Sequence, residues 1–203
     1  MSAFDFEKYG VRLLSPVVAF GWGDSTAVEM LMRFGRELNK GKKELRRAIT
    51  VAQKAQETFY EKLRCRGEEV LSSLPPERIP IVIVSRPYNG CDRGINLDLP
   101  RKLRELGAFP IPMDYLLLDT VDLSEEWPDM YWRYGQKILS AAEIIRKDDR
   151  LECLYITNFG CGPDSFITRF FREKMAGKPY LEIEVDEHSA DVGAITRCEA
   201  FLD

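Results

Sequence analysis

Four apolar runs, each leading into a loop of polar residues and then into a helical pattern, constrain this chain more than any other feature. The runs are 79–84, 109–112, 151–157 and 180–185. They open into Ser-Arg-Pro-Tyr-Asn-Gly-Cys-Asp (85–92), Met-Asp-Tyr (113–115), Asn-Phe-Gly-Cys-Gly-Pro-Asp-Ser (158–165) and Asp-Glu-His-Ser-Ala-Asp (186–191). Continuous apolar strands alternating with amphipathic helices describe a parallel sheet covered on both faces. Right-handed crossovers then predict strand order 2-1-3-4, a doubly wound, flavodoxin- or Rossmann-like α/β domain with a four-stranded parallel sheet. In that order the first and third strands are neighbours. The loops 85–94 and 158–165 therefore face each other across the crevice at the carboxyl edge, where open parallel sheets bind ligands.

Apolar spacing predicts helices over about 96–106, 128–147, 163–176 and 190–201. Ahead of the sheet, residues 1–23 read as an irregular lead-in. Thr26 and Glu29 form a capping-box pair for a helix over about 26–39, which Gly41 ends. A second helix runs from about 43 to 73. Its Leu45, Ala48, Ile49, Ala52, Ala55, Phe59 and Leu63 recur every three or four residues, which predicts one buried stripe. Pro75-Pro76 stops this helix. The chain thus divides into a helical extension, 1–75, expected to pack on the sheet domain, and an α/β lobe, 76–203.

Net charge is −4, which argues against a general affinity for nucleic acid. The basic run Arg36–Arg47 carries Glu37 and Glu44 within it and reads as a solvated helix face. No stretch reaches the ~18 apolar residues of a membrane span, and the N-terminus lacks a signal-peptide pattern. A cytoplasmic protein is the expectation. Five cysteines with no framework spacing are then free thiols or ligands rather than disulfides.

Cys161 is the first candidate for chemistry. Gly160 and Gly162 flank it, and Pro163 suits the start of a helix, placing the thiol at a helix N-terminus. Free amides and the positive dipole end favour the thiolate that ligates metal or attacks carbon. The structural reading is a small residue filling a tight turn. Cys91 in Asn-Gly-Cys-Asp is either a second ligand or a turn residue. Cys65, Cys153 and Cys198 fall in a helix, a strand and a helix, and read as buried structural thiols. Arg86 could grip a carboxylate or phosphate, or pair locally with Asp92 or Asp114. His188, the one histidine, is a proton shuttle or ligand, or orders its loop through Asp186 or Asp191. Asp164 and Ser165 could simply cap the helix that follows. No glycine spacing suited to wrapping a pyrophosphate is present. An iron–sulfur cluster needs three or four thiolates and this edge offers two, so any cluster would be shared.

The motifs Ser-Arg-Pro-Tyr-Asn-Gly-Cys-Asp-Arg-Gly-Ile-Asn, Met-Tyr-Trp-Arg-Tyr-Gly-Gln (130–136), Asn-Phe-Gly-Cys-Gly-Pro-Asp-Ser-Phe and Asp-Glu-His-Ser-Ala-Asp-Val-Gly-Ala-Ile-Thr-Arg-Cys-Glu-Ala-Phe resemble one family over about residues 15–203. It is the large bacterial CoA-substrate-specific enzyme activases, whose cluster-binding half is similar to the D-component of 2-hydroxyacyl-CoA dehydratases. The resemblance implies a lobe of an iron–sulfur redox protein that works with an ATPase module and further dehydratase-like domains. It also implies a 4Fe–4S cluster at a lobe interface, with an acyl-CoA thioester as ligand. Cys161 matches the cysteine of the Phe-Gly-Cys-Gly-Pro-Asp motif and is carried over as a cluster ligand. Arg86, Tyr88, Asn158, Asp164, Asp186, Glu187 and His188 match other motif positions and are expected to line the site, with Ser165 beside them. Ser85 stands where the family pattern has glycine, and Cys91 falls at a variable position. The expected function is to help hold the cluster for low-potential electron transfer, incomplete in this chain alone. A non-catalytic module that binds CoA or another anion through Arg86 is the alternative, and a thiol enzyme using Cys161 with His188 is a third reading.

Overall fold

A computed structural model describes residues 6–19, 23–158, 161–186, 188 and 191–203. The chain forms two compact units, Met1–Glu61 and Lys62–Asp203. In the first, α1 (Asp24–Glu37) is followed by the start of α2 (Lys42–Ser72). Gly35 lets α1 approach α2 closely, since a Cβ there would run into the Leu45 side chain. Arg12 Nη1 donates to the Glu37 carbonyl at 3.3 Å.

Three sequence expectations for this unit are corrected. The helix starts at Asp24, ahead of Thr26, because Gly23 adopts φ +95° and turns the chain into it. The break after α1 falls at Asn39, whose φ of 55° is left-handed, whereas Gly41 accepts the Leu45 amide as α2 begins. The apolar stripe of α2 is not buried: Ala48, Ala52 and Ala55 are exposed and Phe59 is 55% exposed, with Leu45, Ile49 and Leu63 half-buried. Helical period decides which residues share a face; whether anything covers that face is a separate matter.

The second unit holds the sheet. Its strands are β1 (Ile79–Ser85), β2 (Ala108–Pro112), β3 (Glu152–Asn158) and β4 (Leu181–Val185), all parallel, in the order β2-β1-β3-β4. Register pairs Ile79 with Ala108, Ile81 with Glu152 and Leu154 with Leu181. The helices are α3 (Pro87–Cys91), α4 (Leu99–Glu105), α5 (Arg133–Lys147), α6 (Gly162–Lys174) and α7 (Asp191–Leu202). Strand alternation sends Val82, Val84, Cys153 and Tyr155 to one face, packed with residues of α5 and α6. Ile81, Ile83, Leu154, Ile156 and Ile183 go to the other, with residues of α4 and α7. The end of α2 joins the first layer through Val70. Gly67 is required there because any Cβ would collide with the Tyr115 carbonyl.

Helix starts depart from periodicity where turns intervene. α4 begins at Leu99 rather than 96, because Asp92 Oδ1 accepts the Gly94 and Ile95 amides at 2.8 and 3.0 Å, and Leu97 and Asp98 take left-handed φ. α5 begins at Arg133 rather than 128, yet Met130 is still buried in the core ahead of it. Of the thiols read as buried, Cys153 and Cys198 are, and burial pushes both pKa values up. Cys65 is instead exposed on α2. Among the described residues no helix is long and apolar enough to cross a membrane.

One polar cluster ties α5 to α6. Glu143 accepts Lys147 Nζ at 2.7 Å and Arg146 Nη2 at 3.1 Å, and pairs with Lys174 Nζ at 3.2 Å. Lys174 also pairs with Glu126. Burial alone would raise the Glu143 carboxyl, but the three cations outweigh it and hold its pKa at about 2, below the ordinary 4.5. The folded value lies below the unfolded one. The stabilisation is therefore complete above pH 4.5 and is lost as pH falls toward 2. Exposed Lys147 and Arg146 screen the site, so we expect a loss of about 1–2 kcal/mol. Urea midpoints measured down this range should fall more steeply for the native chain than for Glu143→Gln.

Candidate functional site at the carboxyl edge

The loops after β1 and β3 meet at the carboxyl edge because these strands are neighbours. Arg86 leaves β1 with extended backbone and starts α3, its carbonyl accepting the Gly90 amide at 3.0 Å. The turn is tight: a Cβ on Gly90 would lie 2.5 Å from Ser85 Oγ, so the serine at the strand end fits because the residue five later has no side chain. Arg86 then reaches toward the other loop. Its Nε lies 2.8 Å from Asp164 Oδ1 and its Nη2 3.0 Å from Asp164 Oδ2. The same Nη2 donates to Cys161 Sγ at 2.8 Å. The guanidinium carbon sits 4.5 Å from the centre of the Tyr88 ring.

Asp164 is 2% exposed and Arg86 9% exposed, so this is a buried ion pair. Asp164 also accepts the Asn158 amide at 2.8 Å, joining the end of β3 to the first turn of α6. It does not cap α6 with its side chain. Cys161 occupies the cap position, and its carbonyl accepts the Ser165 amide at 2.9 Å. Cys161 is half-buried. Three features converge on its sulfur: a guanidinium donor, a 13-residue helix N-terminus and an aromatic ring nearby. Burial works against the Arg86 charge, but the Asp164 carboxylate outweighs it and raises the pKa. Burial raises the Tyr88 phenol, with Cys161 and Asp164 adding to the effect and Arg86 opposing it.

The sequence candidates thus separate. Arg86, Tyr88, Cys161, Asp164 and the Asn158 backbone form one cluster. Arg86 pairs with neither Asp92 nor Asp114; the first holds its own turn and the second lies 3.8 Å from Lys137. Cys91 is exposed and lines a different cavity, between the ends of β1 and β2. Asp186 Oδ1 accepts the His188 backbone amide at 2.9 Å, and both residues are exposed. Asp191 pairs with Lys102 at 2.7 Å. Gly160 and Glu187 lie outside the described residues.

One residue, Asn89, escaped the sequence reading, and the candidate Asn158 shares its condition. Asn89 is fully buried with neither amide atom bonded, and Asn158 Oδ1 is likewise buried and unbonded. Such groups are rare and suit a ligand or water. Asn89 sits in a Tyr-Asn-Gly string that reads as an ordinary turn, so its type carried no signal. Among the described residues no group of three or more His, Cys, Asp or Glu side chains is arranged to hold a metal ion.

A family model described as CoA enzyme activase uncharacterised domain (DUF2229) matches residues 1–116. The chain belongs to this family. Searches of curated proteins and of solved structures give no match. The part of this activase-family chain that matches runs through β2 and contains Arg86, Tyr88 and Cys91. Cys161 and Asp164 lie beyond it.

Proposed function

We propose that this activase-family chain is one lobe of a redox assembly in which Cys161 supplies a single thiolate to a 4Fe–4S cluster. The observation that carries this reading is the 2.8 Å contact between Arg86 Nη2 and Cys161 Sγ at the start of α6. The residues fit one corner of a cluster and not a whole one. A cluster takes three or four thiolates, and the described residues bring one to this point. Partner domains would supply the remainder, and the motif resemblance to the CoA-substrate-specific enzyme activases points to ATPase and dehydratase-like ones working on a CoA thioester.

A bound cluster of this kind supplies single-electron transfer at low potential. The chain's own part is ligation and tuning. Arg86 donates to the sulfur and offsets its negative charge, which favours the reduced state. Asp164 keeps Arg86 aimed at the sulfur by holding two of its nitrogens. Tyr88 covers the guanidinium, and Asn89 and Asn158 offer polar atoms to whatever closes the cleft. Binding of CoA or another anion through Arg86 is the weaker reading, because Asp164 already occupies that guanidinium.

The test is anaerobic reconstitution with iron and sulfide, on this chain together with its partner domains. We expect an iron–sulfur absorption band that Cys161→Ser sharply weakens. A band of unchanged intensity would remove Cys161 from the site.

A further inference from the structure

We propose that the cavity between the carboxyl ends of β1 and β2 binds a small carboxylic acid, with its apolar tail on a proline-rich wall and its carboxylate on Arg104. The cavity has a volume of about 280 Å³. This lies just below the ~300 Å³ at which pockets for drug-sized molecules begin, so its ligand is small. Ile83, Met113, Tyr134 and the prolines Pro100, Pro110 and Pro112 line it. Proline has no N–H and a fixed φ, so such a wall is apolar, rigid and preformed.

The charge pattern selects the head group. Arg104 and Asp114 both line the cavity. Asp114 is engaged by Lys137 at 3.8 Å, whereas no ion pair to Arg104 is found among the described residues. One uncompensated guanidinium beside apolar walls matches a carboxylate, which guanidinium grips in bidentate geometry. A phosphate would meet a single cation and leave the apolar walls unused. The anion site expected at Arg86 is therefore better offered by Arg104, since Asp164 fills the former. Except for Tyr134, these lining residues fall within the 1–116 segment that matches the family. The proposal stands apart from Cys161 and does not depend on a cluster.

Cys91 lines this cavity and is exposed, so it reports occupancy. Cys65, exposed on α2 and not part of the lining, gives the reference within the same sample. Iodoacetamide labelling of both thiols, followed by peptide mass spectrometry, is measured on the full chain with hexanoate and with hexan-1-ol. We expect saturating hexanoate to slow Cys91 labelling roughly tenfold and to leave Cys65 unchanged. Hexan-1-ol should need roughly tenfold more for the same protection, and Arg104→Gln should raise the hexanoate requirement by about the same factor. Arg104 is exposed, so this variant is expected to fold. A Cys91 rate indifferent to hexanoate overturns the site. Equal protection by the alcohol, or no effect of Arg104→Gln, overturns the assignment of the head group.

Discussion

Asp164→Ala is expected to lower stability by about 3–5 kcal/mol, because it strands a buried guanidinium. Asp164 answers Arg86 through both carboxylate oxygens and also accepts the Asn158 amide, so its removal breaks three contacts at once. The loss should appear as a lower urea midpoint with little change in slope. A paired replacement, Arg86→Met with Asp164→Leu, should cost much less, since no charge is then left without a partner. The gap between the single and double variants measures the cost of leaving the buried guanidinium without its partner. A loss below about 1 kcal/mol for Asp164→Ala would mean that the pair behaves as an exposed salt bridge, and the account of a fixed Arg86 would fail. The single variant should also loosen the hold on Arg86, yet weaken any cluster band far less than Cys161→Ser does, because the thiolate ligand remains.

Phe171→Ala is expected to cost a similar amount, about 3–5 kcal/mol, for a different reason. The ring is completely buried under α6, 4.3 Å from the Tyr155 ring centre and 5.1 Å from that of Tyr180. Truncation opens a cavity between α6 and the middle of the sheet, against the Tyr155 ring of β3. Phe171→Leu, which keeps most of the volume, should cost less than half as much. Equilibrium unfolding of the two variants separates cavity formation from the loss of ring contacts. If alanine and leucine cost the same, the aromatic contacts and not the cavity dominate.

Much of the fold could be read from residue order. Short apolar runs such as 79–84, bounded by turn residues, read as strands buried on both faces, and four such runs separated by helical patterns leave few arrangements. The handedness of the crossovers then brings the ends of β1 and β3 together, which is why the meeting of Arg86 and Cys161 was foreseeable as a neighbourhood. Their contact was not. Two expectations failed for one shared reason, that a local pattern fixes conformation but not partners, and Cys91, left open between ligand and turn residue, illustrates the same point. Thr26 and Glu29 have capping-box spacing, yet Gly23 begins the helix earlier. The α2 stripe has helical period, yet most of it is exposed. Cys91 stands close to Arg86 in sequence, yet it lines another cavity.

The order of residues alone determined the doubly wound sheet, its strand order and the edge where polar loops gather, because burial of apolar runs and chain handedness act on short stretches and are cheap to infer. Only tertiary structure decided that Arg86 takes Asp164 rather than a nearer carboxylate, that Asn89 is buried unbonded, and that Arg104, with no ion pair among the described residues, stands beside an apolar cavity. Pairing between side chains 78 residues apart depends on where packing places them and on which charges burial forces together, and neither is written in local sequence.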